Sequence, residues 1–280
     1  MIGGFNLVIS DEFLAVVDSN FSVDVSRINS ELNLTGQGML VDHVPPHTFV
    51  GNIDNMESDD CVLVIGINPF LSNTPRFQNS NIDLPRRCLT KYRESNDVKT
   101  LEDWINWQKG YFLSNDINAK HFKKIANLIG PRFFPLTYDK NNWKETLSKH
   151  VVEVDIIPYY SEKARINGQK LARLYKHDSA LITHLNLIKW IIKKIQPRWI
   201  MVNGKTGWET ICQELLNGEG EIIDDAGDKG SEIMVGHTNL TGKKIPVLMN
   251  KFIGGLGGAN SHVQRNQVMD SWERWLSINS

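Results

Sequence analysis

The sequence predicts an α/β protein, a three-layer α/β/α sandwich around a central four-stranded parallel sheet. Two observations predict it. Four short apolar runs, Val62–Gly66, Val151–Ile157, Trp199–Val202 and Ile245–Met249, read as strands buried on both faces. Helical periods separate them, and strand–helix alternation is the signature of a parallel sheet covered by helices.

The elements follow in order. The first 60 residues are less regular and read as an extension (residues 1–60) packed on the core, with one helix near Glu12–Asp18. The α/β domain spans residues 61–280. Its first run ends in "GINPF", Gly66–Phe70, and two helical periods follow, "LEDWINWQKGYF" and "INAKHFKKIANLIG". After the second run, "SALITHLNLIKWIIKKI" is strongly amphipathic and stops at Gln196-Pro197, where proline cannot continue a helix. "TGWETICQELLN" follows the third run and ends at Gly218, and "QRNQVMDSWERWLSI" closes the chain as a helix.

Composition bounds the function. The chain has 280 residues, 41% hydrophobic and 22% charged, the balance of an ordinary globular protein. Its apolar runs are about half of what a membrane span needs, and "MIGGFNLVISDEF" lacks the basic start and cleavage pattern of a signal peptide. Cys61, Cys88 and Cys212 are far apart and odd in number, which suits a reducing cytoplasm and disfavours a zinc or iron–sulfur site. The formal charge of −1 gives no global sign of nucleic-acid binding. Yet Ser161–Arg198 holds nine Lys/Arg against two acids, while Glu214–Glu232 is acidic. The basic segment suits either a phosphate-facing surface or a solvated helix face.

Several motifs are excluded. "VNGKTGWET" contains Gly-Lys-Thr, but the P-loop's leading glycine would fall on Trp199, inside a strand. "GGLGGANSH" is not a dinucleotide fingerprint and reads as a loop that either inserts into a groove or simply connects to the last helix. There is no G-x-S-x-G and no H-E-x-x-H. His43 and His47 lie four apart in "VDHVPPHTFV", but two prolines prevent a helix from aligning them as metal ligands, so no metal or other cofactor is expected.

Four strand ends, taken together, resemble the uracil-DNA glycosylase superfamily, in the style of its mismatch-specific and single-strand-selective branches. "GINPF" resembles the family's Gly-x-Asn-Pro motif, "VDIIPYY" (Val154–Tyr160) its second strand, "PRWIMVNGKTGWETI" its third, and "PVLMNKFIGGLGGANSH" its fourth strand and minor-groove loop. The likeness covers about Cys61 to the C-terminus. It departs from the family at Asn250-Lys251-Phe252, where His-Pro-Ser is common, at Phe70, where Gly is usual, and at Asp155, where the family has Asn.

The resemblance implies a monofunctional, monomeric DNA glycosylase that flips a base out and leaves an abasic site. The expected setting is DNA repair or defence against modified foreign DNA, with DNA as partner and no membrane. It assigns Asn68 to the attacking water and Asn250 to the base O2. Asp155 and Phe70 would contact the base, and Phe77 would stack on it. Phosphate or groove contacts fall to Arg165, Lys170, Arg173, Gly257, Gly258, Asn260, Ser261 and His262. An ionised Asp155 only accepts hydrogen bonds, so it would favour the amino group of cytosine, or of a C5-modified cytosine, over uracil. Otherwise Asp155 pairs with Lys163 or Arg165 and reads nothing. Two other readings remain: a DNA-binding module on the same fold that has lost catalysis, and a hydrolase of small nucleosides.

Overall fold

The computed structural model describes residues 9–163, 165–223, 230–253, 259 and 261–279. The elements begin with α1 (Asp11–Val17), α2 (Phe21–Leu32), β1 (Val62–Gly66), the single turn α3 (Pro75–Phe77), α4 (Leu84–Ser95), α5 (Glu102–Gly110), α6 (Ala119–Phe133) and α7 (Trp143–His150). They continue with β2 (Val151–Asp155), α8 (Gly168–Tyr175), α9 (Ser179–Ile195), β3 (Trp199–Asn203), α10 (Trp208–Leu215), β4 (Glu221–Ile223), β5 (Ile233–Thr238), β6 (Ile245–Asn250) and α11 (His262–Asn279).

The four expected strands are present and run parallel in the order β2-β1-β3-β6. The sheet nevertheless has six strands and is mixed, because β5 and β4 add to the β6 edge in antiparallel sense. The expectation of a four-stranded parallel sheet missed this pair for a physical reason. β4 is exposed to intermediate in burial, and Gly236 and His237 interrupt the apolar run of β5, so neither reads as a buried strand.

Alternation along each strand sorts side chains to two faces. Leu63, Ile65, Val152, Val154, Ile200, Val202, Val247 and Met249 join one core with α1, α2, α4, α5 and α8–α10. Val62, Val64, Val151, Trp199, Met201 and Leu248 join the other with α6, α7 and α11. Helices therefore cover both faces. The main helix of the first layer, α9, is capped by Asp178, whose side chain accepts from the Leu181 amide at 3.0 Å. It ends at Gln196 in the left-handed conformation, ahead of Pro197.

Residues 9–60 also hold α2, which the sequence reading did not anticipate. Arg27 joins Asp24 on α2 to the α9 cap Asp178, with both contacts at 2.8 Å. Beyond α2 the chain straps the free edge of β2. The His47 amide donates to the Pro158 carbonyl at 2.7 Å, and Val50 exchanges both backbone bonds with Glu153 at 2.8 Å. Gly51, at φ +110°, turns the chain where a Cβ would lie 2.5 Å from the Val151 carbonyl, so only glycine fits.

No helix among the described residues is long and apolar enough to cross a membrane. Burial pushes the Cys61 thiol up to about 12 and raises that of Cys88, whereas Cys212 is partly exposed. Because the thiolate is the reactive form, a thiol reagent applied to the native protein should label Cys212 rapidly. Cys61 should react only after denaturation, as read by mass spectrometry of the labelled peptides.

Candidate active site at the carboxyl edge of the sheet

The register sets four residues in one row. Gly66 pairs with Asp155, Asn203 pairs with Asn250, and Ile65 pairs with Val202, so Gly66 lies beside Asn203. The row Asp155–Gly66–Asn203–Asn250 crosses the carboxyl ends of the parallel strands, where open α/β sheets bind ligands. Two residues upstream on their strands, Val64, Met201 and Leu248 belong to the α6/α7/α11 core, so the row shares that face. Its ends are three strand spacings apart, about 14–15 Å between Cα atoms.

Asp155 does not pair with Lys163 or Arg165. Lys163 instead bonds Gln37, and Arg165 is exposed. Asp155 Oδ2 faces His47 Nδ1 at 3.5 Å. Its Oδ1 leans over Gly66, where a Cβ would collide with it and come within 3.3 Å of Glu153 Oε1. Gly66 is thus glycine for the room it gives a carboxyl group, not for a turn. Burial pushes Asp155 up to about 8, and burial together with Asp155 raises Glu153. A neutral Asp155 carries one donor and one acceptor, as an amide does. This differs from the ionised, acceptor-only side chain assumed from sequence.

Asn68 follows β1 on a loop zipped to the one after β2. Ile156 and Ile157 donate to the Gly66 and Ile67 carbonyls at 3.0 and 2.9 Å, and Ser161 donates to Pro69 at 3.1 Å. The Asn68 amide nitrogen faces Ser161 Oγ at 2.8 Å and the Tyr159 and Pro69 carbonyls at 3.3 Å. Its Oδ1 is buried without a partner. One end of the amide is clamped and the other is an unused acceptor. At the far end of the row, both polar atoms of the Asn250 side chain are buried without partners, although the residue is only 1% exposed. Such groups are costly unless a ligand or water completes them.

The remaining expected residues are placed as follows. Phe70 is 58% exposed, so it is not a core plug. Phe77 packs edge-on against Tyr160, with ring centres 5.9 Å apart, and so already has an aromatic partner. Arg165, Lys170 and Arg173 are exposed, but Leu171 and Leu174 of α8 belong to the helical layer opposite the row. Ser261 is a helix cap: its Oγ accepts from the Gln264 amide at 3.0 Å, and Gln264 Oε1 accepts from the Ser261 amide at 3.1 Å. His262 contacts Asn266 at 2.9 Å. Gly257, Gly258 and Asn260 lie outside the described residues.

Sequence reasoning missed several members of this edge. Glu153 was signalled by its period, two residues before Asp155 in "VVEVD" and therefore on the same face. Asn203 Oδ1 accepts from the Ile253 amide at 2.8 Å and fixes the chain after β6. Next to that bond, Phe252 is held at φ +151° and stacks on His121 at 6.1 Å. His121 begins α6 among Lys120, Lys123 and Lys124, which are exposed and have no ion pair among the described residues. His43 is exposed and is no partner of His47.

Gly66→Ala should destabilise the fold by about 1–3 kcal/mol through overpacking, and the cost should shrink in an Asp155→Ala background. Urea denaturation of the four proteins of this cycle measures the coupling. Compared with models of known protein families and with curated proteins, the chain matches none.

Proposed function

We propose that this protein is a DNA glycosylase of the uracil-DNA glycosylase type, excising a pyrimidine (a modified cytosine or uracil) and leaving an abasic site. The observation that carries the reading is the pairing of an Asn68 carbonyl held free with an unpartnered Asn250 amide at one sheet edge. The parallel order β2-β1-β3-β6 brings all four motif-bearing strand ends to that edge.

The chemistry follows from these groups. The C1′–N bond of a flipped nucleotide breaks with its electron pair leaving on the base, and positive charge develops on the sugar. Asn250 Nδ2 donates to the base oxygen as negative charge grows there. Asn68 Oδ1 accepts a hydrogen bond from water and aims it at C1′. Water supplies hydroxide to the sugar, and its proton goes to solvent or the departing base. Asn68 is no strong base, so the water attacks after the bond has largely broken. In its neutral form, Asp155 complements the edge of either cytosine or uracil. In its ionised form, it complements only the amino group of cytosine.

Duplex and single-stranded oligonucleotides carrying uracil, cytosine or 5-substituted cytosines, followed by alkaline strand cleavage, test the reading. Asn68→Ala and Asn250→Ala should each slow excision by about 10²–10³-fold without changing the melting temperature by more than a few degrees. Asp155→Asn should shift the ratio of cytosine-type to uracil excision. DNA binding without abasic product from any base would favour the inactive module. Cleavage of free nucleosides alone would favour the small-molecule hydrolase.

The phosphate-contacting surface is assigned to Lys120, Lys123 and Lys124, because α6 covers the face of the sheet on which the row lies. Replacing all three with alanine should weaken binding to any DNA sequence and reduce the slope of log affinity against log salt by about 2–3. Replacing Lys170 and Arg173 should change the slope less. Fluorescence anisotropy over a salt series distinguishes them.

A further inference from the structure

The cluster formed by His47, Glu153 and Asp155 has a property independent of any base-excision role. We propose that these three side chains bind a divalent transition-metal ion. Each offers one ligand atom, and all these atoms lie within 4.8 Å of one another. Zinc–nitrogen and zinc–oxygen bonds of about 2.0–2.2 Å need these atoms to close by on the order of an ångström. One imidazole with two carboxylates suits Zn²⁺ or Mn²⁺.

The site is built on fixed backbone. Glu153 and Asp155 project from the same face of β2, and both backbone bonds of Glu153 go to Val50. His47 lies three residues earlier on that strap, its amide anchored to Pro158. The His47 ring meets the Tyr160 ring at 6.2 Å and 81°. An independent observation points to a ligand: His47 is 8% exposed, yet its Nδ1 has no hydrogen-bond partner and faces the carboxyl pair. A cation supplies the missing partner and offsets two carboxylates that are otherwise buried side by side. The cluster is not sealed, since Glu153 and Asp155 keep 8% and 4% of their surface, so an ion has a route in. The metal would take Asp155 Oδ2 and leave Oδ1 over Gly66.

The test uses the full chain stripped with EDTA and then titrated with ZnCl₂ or MnCl₂, with MgCl₂ as contrast. Isothermal calorimetry should show one ion per chain. At about a hundredfold excess over Kd, the melting temperature should rise by roughly 5 °C. Co²⁺ should give visible absorption from the same site. Glu153→Gln, which keeps the shape of the side chain, should abolish these signals while making the metal-free protein no less stable. His47→Asn should also abolish them, and His177→Asn, at an exposed histidine, should not. If His47→Asn fails to fold, Glu153→Gln decides alone. No binding of Zn²⁺ or Mn²⁺, or binding that survives Glu153→Gln, overturns the proposal. These readouts do not involve DNA, so the glycosylase reading stands or falls separately.

Discussion

Two carboxyl groups on one face of a fully buried strand set the terms for the carboxyl edge of this protein. Glu153 and Asp155 occupy positions that alternation reserves for the core, between Val151 and the loop that meets Asn68. Taking such groups from water is among the costliest steps in folding, and the surroundings bear its marks. Gly66 gives up its side chain to make room for Asp155. His47 is brought alongside by an edge strap. Burial favours the neutral forms, raising the two acids and holding His47 down at about 3. A fold needing only stability would place hydrocarbon there.

The extension is thus more than a covering. Arg27 joins α2 to the cap of α9, and the Asn29 side chain exchanges two hydrogen bonds with the Leu40 backbone at 2.8 and 2.9 Å. These contacts fix where the following strap begins. The strap then satisfies the outer edge of β2, which would otherwise present unpaired backbone groups, and delivers His47 to the acids.

At the other end of the row, order is imposed by backbone-directed bonds, not by charge. Gly204 and the Trp208 indole both donate to the Asn250 carbonyl at 3.0 Å, and Asn203 holds Ile253. These bonds fix the main chain around Asn250 while leaving its side chain unused. Asn68 shows the same division, with its nitrogen engaged and its oxygen not. Polar groups kept unspent on a rigid frame are what preorganised binding requires.

The sequence by itself determined the four parallel strands and the long helix α9, since apolar runs of strand length and a 3.6-residue period are local properties that survive without a partner. It also marked Asn68, Asp155 and Asn250 as strand-end residues. It did not reveal α2 or the β4–β5 edge, where half-burial and interrupted hydrophobicity weaken the local signal. Nor did it reveal that His47 belongs with Glu153, a residue 106 positions away, and not with His43 nearby. Only the tertiary structure decided this, because which side chains share a buried space depends on strand register and on the path of the edge strap. Neither leaves a trace in local composition.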